Sequence, residues 1–276
     1  MNLLVIGGSG HVGSLVLPYL ISRHTVRGFD LLAPACEGIE YIPGSVCDFE
    51  ALSAAVGGMD AVLYMAMGSH RRIGWDDWAT LESRVDAFDV NIKGVHLALF
   101  AAHSAGIKHM VYTSSMSVYH DTGIRRAGIN DDTPADSDHI YGLTKRLGED
   151  VCQSACQAWG MSVNALRLCL PVPEADWLAK TYRGEPTIMT TAQDTADALL
   201  KALEFRDGFQ TFTISGDYQQ KLMSLEKAKR LLDWAPTARP RRRRHPIQKI
   251  RRFARFAYHK LGSSKARLSR KLRREK

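Results

Sequence analysis

Leu3-Leu4-Val5-Ile6-Gly7-Gly8-Ser9-Gly10-His11-Val12-Gly13 is the stretch that decides the fold of this chain. Its four apolar residues predict a buried strand, and its Gly-x-x-Gly-x-x-Gly spacing predicts a tight turn into a helix. Glycines let a ligand approach the backbone, and the first amides of a helix attract an anion. We therefore expect a phosphate-bearing ligand to lie against Gly7, Gly10, His11, Val12 and Gly13.

The chain beyond this turn alternates short apolar segments with helical stretches. Repeated β-α units require parallel strands joined by crossover helices, so the fold class is α/β with a doubly wound parallel sheet. Ligands of such sheets bind at the carboxyl ends of the strands. Strands are predicted at 25–29, 41–42, 61–66, 109–113 and 163–166, and helices at 14–23, 48–56, 81–105 and 140–159.

The alternation loosens after Pro171, where Pro173, Gly184 and Pro186 interrupt the chain. A helix at 192–205, a strand at 211–214 and a helix at 224–233 then complete the body. We divide the chain into a sheet domain (1–170), a small C-terminal substrate-covering lobe with interleaved sheet elements (171–238) and a basic helical tail (239–276).

The positive charge of the chain is confined to that tail. Residues 239–276 hold 17 Lys and Arg and one acid, whereas the rest holds 20 bases and 28 acids. From Ile247 onward, apolar and basic residues fall on opposite sides of a helical wheel. Such a helix can lie on an anionic membrane surface. Nucleic acid, an acidic protein partner and a disordered segment that aids solubility are the alternatives, and nucleic acid is disfavoured because the body is acidic.

Length and composition favour a cytoplasmic protein, peripheral at the membrane if the tail binds lipid. The chain has 276 residues, 45% of them hydrophobic, and no apolar run long enough to cross a membrane. The first strand begins at Met1-Asn2-Leu3, which leaves no room for a signal peptide. The five cysteines are an odd number without a Cys-x-x-Cys pair, so we expect reduced structural thiols and no metal site.

Asp30 ends the second strand, 23 residues beyond Gly7. A carboxylate at this place can accept both ribose hydroxyls of an adenosine, and it repels a 2′-phosphate. The ligand predicted by the glycine turn is therefore a dinucleotide, with NAD favoured over NADP. The alternative is an ordinary acid at the end of a strand.

Tyr141 and Lys145 lie four positions apart, on one face of a predicted helix. A phenol titrates near ~10, and a nearby ammonium lowers that pKa toward neutrality, which makes the pair an acid/base device. A solvated pair with the same spacing is the alternative. Ser114 and Ser115, which follow the fifth strand, place hydroxyls at the same edge of the sheet and favour the catalytic interpretation.

Together these motifs resemble the extended short-chain dehydrogenase/reductase family, the NAD-dependent epimerase/dehydratase group, over residues 1 to about 237. Five motifs occur in the same order as in the family. They are the glycine turn, the acid after strand two, Asn91 in Val-Asn-Ile-Lys-Gly, the Ser-Ser-x-x-x-Tyr that ends at Tyr119, and Tyr141-x-x-x-Lys145. The segment Leu231-Leu232-Asp233-Trp234-Ala235-Pro236 is similar to the family's closing Leu-Gly-Trp-x-Pro.

The resemblance implies a Rossmann fold and a role for each matching residue. Tyr141 is the proton donor or acceptor at a substrate hydroxyl or carbonyl, Lys145 holds the nicotinamide ribose, and Ser115 binds the reacting oxygen. The implied NAD contacts add Ser45, Val46, Ala66 and Asn91, and Ser69 and Met116 are the implied substrate contacts. Arg183, which precedes the helix at 192–205, is a candidate to pair a substrate carboxylate bidentately, with a solvated loop arginine as the alternative.

Three departures from the family narrow the substrate. Ser45 replaces an Asp that touches adenine in many members, so that contact is expected to be weakened or to be made instead by backbone at Val46. Met116 and Ser117 stand where sugar-nucleotide dehydratases carry an Asp-Glu pair, which disfavours dehydration. Leu170 replaces an Asn that binds the nucleotide sugar in several epimerases, which weakens the nucleotide-sugar interpretation.

The compact substrate lobe makes the chain similar in layout to the uronate dehydrogenases. We expect an NAD-dependent enzyme that acts on a secondary hydroxyl or keto group of a sugar-type substrate, as a dehydrogenase or as an epimerase. A nucleotide-sugar epimerase with retained NAD and a non-catalytic NAD-binding sensor are the alternatives. The sequence leaves the oligomeric state open, and a homodimer is a candidate assembly because relatives often dimerise through the helices near Phe100 and Leu147.

Overall fold

A parallel sheet with helices on both faces forms the body of the protein. The computed structural model describes residues 1–68, 80–121, 126, 128–181 and 187–240. Within these residues the main sheet has seven strands, all paired in parallel, in the order β3-β2-β1-β4-β5-β6-β9. The strands are β1 (Asn2–Ile6), β2 (Thr25–Asp30), β3 (Glu40–Pro43), β4 (Ala61–Tyr64), β5 (His109–Ser115), β6 (Ser162–Leu168), β7 (Pro171–Val172), β8 (Thr190–Thr191) and β9 (Phe209–Ile214), with β7 and β8 forming a small separate pair.

The helices cover the two faces of this sheet. They are α1 (His11–Ile21), α2 (Phe49–Ala55), α3 (Leu81–Phe88), α4 (Gly94–Ser104), α5 (Ile140–Trp159), α6 (Glu174–Thr181), α7 (Ala192–Glu204) and α8 (Glu226–Leu232). A π-helical turn (Asp89–Lys93) joins α3 to α4, and a 3-10 turn (Met116–Val118) follows β5.

The first strand shows why its sequence is apolar without interruption. Leu3 and Val5 pack with α1, α7 and α8 on one face, whereas Leu4 and Ile6 pack with α2, α4 and α5 on the other. Alternate side chains of a strand point to opposite faces, and a central parallel strand buries both of them. The arrangement confirms the predicted doubly wound α/β sheet.

The helix predicted at 81–105 is interrupted, which the sequence pattern did not predict. A π-helical turn accommodates one extra residue in a helix, and such turns occur often at functional sites. Here the Tyr64 hydroxyl donates a hydrogen bond to the Val90 carbonyl at 2.6 Å. Gly94, where a Cβ atom would meet Val46 and Tyr64, lets the following helix pack closely on the sheet.

The segment after Pro171 is more regular than predicted. Helix α6 and the β7–β8 pair were not expected, because two-residue strands have no readable alternation and α6 follows two prolines closely. Strand β9 joins the main sheet beside β6, in agreement with the prediction that this part of the chain carries sheet elements. The division of the chain at residues 170 and 238 stays a prediction.

The chain from Trp234 to Arg239, which we call the C-terminal strap, runs back along α7. The Trp234 indole nitrogen donates to the Asp194 carbonyl at 3.0 Å, and the Asp194 carboxylate accepts from the Thr237 amide at 2.8 Å. The Arg239 guanidinium lies 4.5 Å from the centroid of the Tyr218 ring. Because α7 begins and β9 ends at the carboxyl edge of the sheet, the strap finishes there. The predicted basic helix lies, from residue 241 onward, outside the described residues.

All five cysteines are free. No helix in the described part of the chain is long and apolar enough to cross a membrane.

Candidate active site

The glycine turn between β1 and α1 packs against the end of β4. Gly7 has a φ of +84°, which disfavours any residue with a side chain, and a Cβ atom there would collide with the backbone of Ala66. Gly13 sits equally close to the Gly8 carbonyl. Both glycines are therefore required for the turn. Ala66 lies beside it, and its predicted contact with the cofactor stays a prediction.

The N-terminus of α1 is suited to bind a phosphate. Gly10 caps the helix without a side-chain hydrogen bond, and the first turn, His11 to Gly13, contains no acidic residue. Helix amides without a side-chain acceptor favour an anionic ligand. The backbone at this turn thus fits the pyrophosphate of a dinucleotide. The His11 ring meets the Pro171 carbonyl at 2.9 Å, which holds the start of the small lobe against the turn.

Asp30 lies beside the same turn. Its carboxylate accepts a hydrogen bond from the Ser9 amide at 2.9 Å, and Asp30 is half-buried. The structure therefore brings Asp30 to the glycine turn. Its contact with a ribose stays a prediction.

The structure describes three of the other predicted cofactor and substrate contacts, Ser45, Val46 and Met116. The Ser45 hydroxyl accepts from the Cys47 amide at 3.2 Å, and the Val46 side chain is buried in the core. Met116 is buried with Cys169 and Met223, which disfavours a substrate contact by its side chain. The predicted substrate contacts Ser69 and Arg183 lie outside the described residues.

Ser115 and Tyr141 share a side-chain hydrogen bond. Ser115 ends β5 and Tyr141 lies in the first turn of α5, so the bond joins the edge of the sheet to the helix. Gly142 allows this approach, because a Cβ atom there would collide with the Ser117 carbonyl. The Ser115 hydroxyl also accepts from the Ser117 amide at 3.1 Å, which fixes its position.

Lys145 is buried one turn further along α5. Its ammonium donates to the Thr113 carbonyl at 2.8 Å and lies 5.0 Å from the centroid of the Tyr112 ring. Burial lowers the pKa of Lys145 to about 8, against a smaller opposing effect of Cys152 and Glu149. The amine is therefore close to its titration point in neutral solution.

The pKa of Tyr141 does not follow the prediction from its spacing to Lys145. Burial raises this pKa above its ordinary value, and only the hydrogen bond from Ser115 acts in the opposite direction. The predicted lowering by Lys145 is not found. The Lys145 ammonium instead contacts the Thr113 carbonyl and the Tyr112 ring.

Asn91 connects the π-helical turn to α5. Its side-chain oxygen accepts from the Gly68 amide at 3.2 Å, and its side-chain nitrogen donates to the Thr144 hydroxyl at 3.0 Å. Thr144 in turn donates to the Tyr141 carbonyl at 3.0 Å. Asn91 is thus linked to the predicted site by hydrogen bonds to α5. Its predicted contact with the cofactor stays a prediction.

The sequence interpretation missed two charged residues beneath this site. Glu149 and Arg167 form a buried ion pair with an N–O distance of 2.7 Å, and Ser114 donates to Glu149 at 2.6 Å. Two signals pointed to them: Glu149 lies four residues beyond Lys145 on the same face of α5, and Arg167 is the one charged residue in β6. In the described residues no group of three or more His, Cys, Asp or Glu side chains is arranged to hold a metal ion.

Comparison with known proteins places this geometry in a family. Residues 3–191 match the NAD dependent epimerase/dehydratase family. The chain is 33% identical to the 3 beta-hydroxysteroid dehydrogenase/Delta 5→4-isomerase of Mycobacterium tuberculosis over 173 residues, 60% of this chain and 46% of that protein. It is 30% identical to the N-acetyl-alpha-D-glucosaminyl-diphospho-ditrans,octacis-undecaprenol 4-epimerase of Escherichia coli O157:H7 over 155 residues, 54% of this chain and 42% of that protein. The matched region thus spans less than half the length of these relatives.

Solved structures share the fold. A short-chain dehydrogenase/reductase superfamily protein from Agrobacterium tumefaciens with bound NAD has a TM-score of 0.72 at 23% identity, covering 94% of this chain and 99% of that one. A mutated uronate dehydrogenase has a TM-score of 0.68 at 22% identity, covering 86% and 82%. The chain belongs to the NAD-dependent epimerase/dehydratase family, and the predicted family membership is confirmed.

Proposed function

We propose that this protein is an NAD-dependent oxidoreductase or epimerase that acts on a secondary hydroxyl or keto group of a sugar or sugar-derived substrate. The observation that carries the proposal is the hydrogen bond between Ser115 and Tyr141 at the carboxyl edge of the sheet, with buried Lys145 one helical turn away. A hydroxyl pair beside an amine of lowered pKa suits proton exchange with an alcohol or ketone.

Each residue has a distinct task in this mechanism. When NAD is bound, its nicotinamide accepts or donates the hydride. Tyr141 takes the proton from the substrate hydroxyl or returns it to the carbonyl, and Ser115 orients the reacting oxygen through its hydroxyl. Lys145 holds the nicotinamide ribose, and its ammonium favours the phenolate of Tyr141 once it leaves the Thr113 carbonyl.

The cofactor part of the proposal rests on the backbone at Gly7 to Gly13 and on Asp30. The first turn of α1 offers amides to a pyrophosphate, and the Asp30 carboxylate disfavours a 2′-phosphate. We expect calorimetric titration to give tighter binding of NAD than of NADP. Replacement of Asp30 by Ala should remove most of that difference.

The substrate is tested with a panel chosen from the relatives. Uronates and L-arabinose represent the dehydrogenases, UDP-glucose the nucleotide-sugar epimerases, and a 3 beta-hydroxysteroid the steroid enzymes. Accumulation of NADH with a uronate or pentose supports a sugar dehydrogenase. Conversion of a sugar without net NADH supports an epimerase, and turnover of the steroid alone would contradict the proposed substrate class.

Two alternatives make different predictions. A nucleotide-sugar epimerase should retain NAD through purification, which mass spectrometry of the protein isolated without added cofactor would reveal. A non-catalytic NAD-binding sensor should bind NAD without turnover of any panel member. The buried, hydrogen-bonded Ser115–Tyr141 pair favours catalysis, because a sensor has no need to keep both hydroxyls together.

We further propose that the basic tail attaches the protein to an anionic membrane surface. The C-terminal strap is held by Asp194 and Tyr218 and ends at the carboxyl edge of the sheet. The basic residues of the tail follow it in sequence. Each cation near such a surface contributes on the order of 1 kcal/mol. The full chain should sediment with vesicles that contain phosphatidylglycerol, and not with phosphatidylcholine alone. A variant without residues 241–276 that still sediments would contradict the proposal.

A second copy of this chain is the protein partner we propose. Three exposed apolar side chains lie on one face of α3: Leu81, Val85 and Phe88. Phe100 on α4 is 40% exposed. Apolar side chains aligned on one helix face favour association. Light scattering should give a dimer mass for the wild type and a monomer mass for Phe88→Glu. A wild-type monomer at high concentration would contradict this proposal.

A further inference from the structure

A buried charged cluster lies directly beneath the proposed catalytic residues. Glu149 and Arg167 are 4% and 6% exposed. Their side chains form two hydrogen bonds, from Nε to Oε1 at 3.0 Å and from Nη2 to Oε2 at 2.7 Å. A paired arrangement of this kind fixes both the distance and the orientation of the two groups.

Each member of the pair also holds a neighbouring element. Glu149 accepts from the Ser114 hydroxyl at 2.6 Å, and Ser114 precedes Ser115 at the end of β5. Arg167, near the end of β6, donates to the Tyr119 hydroxyl and stacks on the Tyr119 ring, 5.1 Å from its centroid. The cluster thus joins α5 to two strand ends and to the segment that follows β5.

Stability alone is a weak reason for such a pair. Burying two charges costs free energy that their attraction does not always recover, and apolar residues of similar size are often as stabilising. Rigid placement is a stronger reason, because misplacement of a catalytic group by even an ångström lowers the rate substantially. The pair lies where placement matters, since β5 carries Ser115 and α5 carries Tyr141 and Lys145.

We propose that Glu149 and Arg167 are positioning residues, which tie the end of β5 to α5 and so hold Ser115 against Tyr141. The inference rests on the proposed catalytic role of Tyr141. Ser114 is the link between the pair and the catalytic strand. Neither charged residue is proposed to contact substrate.

Ser114→Ala is the mildest test, because it removes only the link to the strand. We expect folding and NAD affinity to be retained, and kcat on the active panel substrate to fall about tenfold with little change in KM. Ser162→Ala is the matched control: it removes a buried serine hydroxyl at the opposite end of the sheet, and it should leave kcat unchanged. Equal kcat values for the two variants would overturn the proposal.

The double variant Glu149→Leu with Arg167→Met separates positioning from folding. If the pair only supports the fold, this variant should restore both the melting temperature and kcat relative to Glu149→Leu alone. We expect it to restore the melting temperature and to leave kcat low. Recovery of kcat would overturn the proposal.

A third readout needs no substrate. The Glu149 carboxylate is among the groups that raise the pKa of Lys145, together with Cys152 on α5, whereas burial lowers it. Tyr112, Tyr119, Asp131, Asp150 and Lys227 are the other titratable groups that interact with the pair. In Glu149→Gln the pKa of Lys145, followed by NMR of carbon-labelled lysine, should be lower than in the wild type. An unchanged pKa would show that Glu149 does not act on the catalytic helix.

These outcomes are distinguishable from failure of the proposed function. A fully active Tyr141→Phe would reject the proposed function itself. An inactive Tyr141→Phe together with wild-type behaviour of Ser114→Ala and Glu149→Gln would reject only the positioning role.

Discussion

At the scale of single residues, burial favours the neutral form of both Tyr141 and Lys145. Burial raises the pKa of Tyr141 and lowers that of Lys145 to about 8, so both groups are displaced toward their neutral forms. Neutral forms are preferred where water is excluded. Perturbed pairs of this kind are more common at catalytic sites than elsewhere, which is consistent with the proposed function.

Tyr141→Phe removes the proposed acid/base hydroxyl and leaves the ring in place. Because proton transfer by a positioned side chain contributes roughly 10²–10⁴-fold, turnover should fall by about that factor. NAD affinity, measured by calorimetry, should remain within about threefold of wild type, since the glycine turn is untouched. Substantial turnover by this variant would reject the mechanism.

Lys145→Met should stabilise the protein while abolishing turnover. The pKa of Lys145 is about 8 in the fold against 10.5 for an ordinary lysine, a difference of about 2.5, or about 3 kcal/mol at 1.36 kcal/mol for each pKa unit. Loss of the hydrogen bond to Thr113 offsets about 1 kcal/mol of this gain.

The pH dependence of that gain has a definite sign. The unfolded chain binds the Lys145 proton more tightly than the folded protein does. The free-energy cost of burying the charged side chain is therefore complete below pH 8 and disappears as the pH rises toward 10.5. Melting curves of wild type and Lys145→Met should therefore converge as the pH is raised through this interval. A difference that is constant with pH would contradict the lowered pKa.

At the scale of elements, glycines allow the backbone segments around the proposed site to pack closely against one another. Gly7 packs against Ala66, Gly94 against Val46, and Gly142 against Ser117, at distances that a Cβ atom would prevent. The π-helical turn adds the one residue that places Asn91 between Gly68 and Thr144. These elements are positioned by contacts between distant parts of the chain.

Gly7→Ala and Gly58→Ala form a matched pair that tests this explanation. Both glycines have a positive φ, +84° and +76°, but a Cβ atom at Gly58 meets nothing within 4 Å. Gly58→Ala should cost about 1 kcal/mol of stability from backbone strain alone. Gly7→Ala should cost more and should also abolish NAD binding, measured by thermal shift and calorimetry. Equal costs would contradict the close approach to Ala66.

At the scale of the whole molecule, the C-terminal strap completes the body. Trp234 is 1% exposed and bonds to α7, and Asp194 receives hydrogen bonds from Thr237 and Ala238. The strap therefore belongs to the core structure, whereas the excess of positive charge lies beyond it in sequence.

Two truncations test that boundary. A chain that ends at Pro240 keeps the strap and should melt within a few degrees of wild type. A chain that ends at Asp233 loses the buried Trp234 and the partners of Asp194, and should lose several kcal/mol, since removal of a buried Trp side chain alone costs about 3–5 kcal/mol. Chemical denaturation compares the two, and equal stability would contradict the role of the strap.

The sequence predicted the elements that repeat and missed those that depend on distant contacts. The apolar run Leu3 to Ile6 and the 140–159 helix are local patterns, and both were predicted correctly. The interruption at Asp89–Lys93 was not, because it depends on Tyr64 and Gly94, which come from different parts of the fold.

The same distinction holds within the site. Spacing placed Tyr141 and Lys145 on one helix face, and the glycine motif marked the turn at Gly7. The direction of the Tyr141 pKa could not be predicted, since it depends on burial and on the Ser115 hydroxyl. The pairing of Glu149 with Arg167 joins a helix to a strand, and no local sequence pattern indicates this pairing.

We propose that NAD lies along the carboxyl edge of the sheet with its nicotinamide ribose at Lys145 and Tyr141. The most direct measurement is an experimental structure of the protein with NAD. We expect the pyrophosphate at the amides of Gly10 to Val12, the adenine ribose at Asp30, and the Lys145 ammonium turned from Thr113 to the nicotinamide ribose hydroxyls. NAD bound at this edge with neither Lys145 nor Tyr141 in hydrogen-bond reach of its ribose would contradict the account.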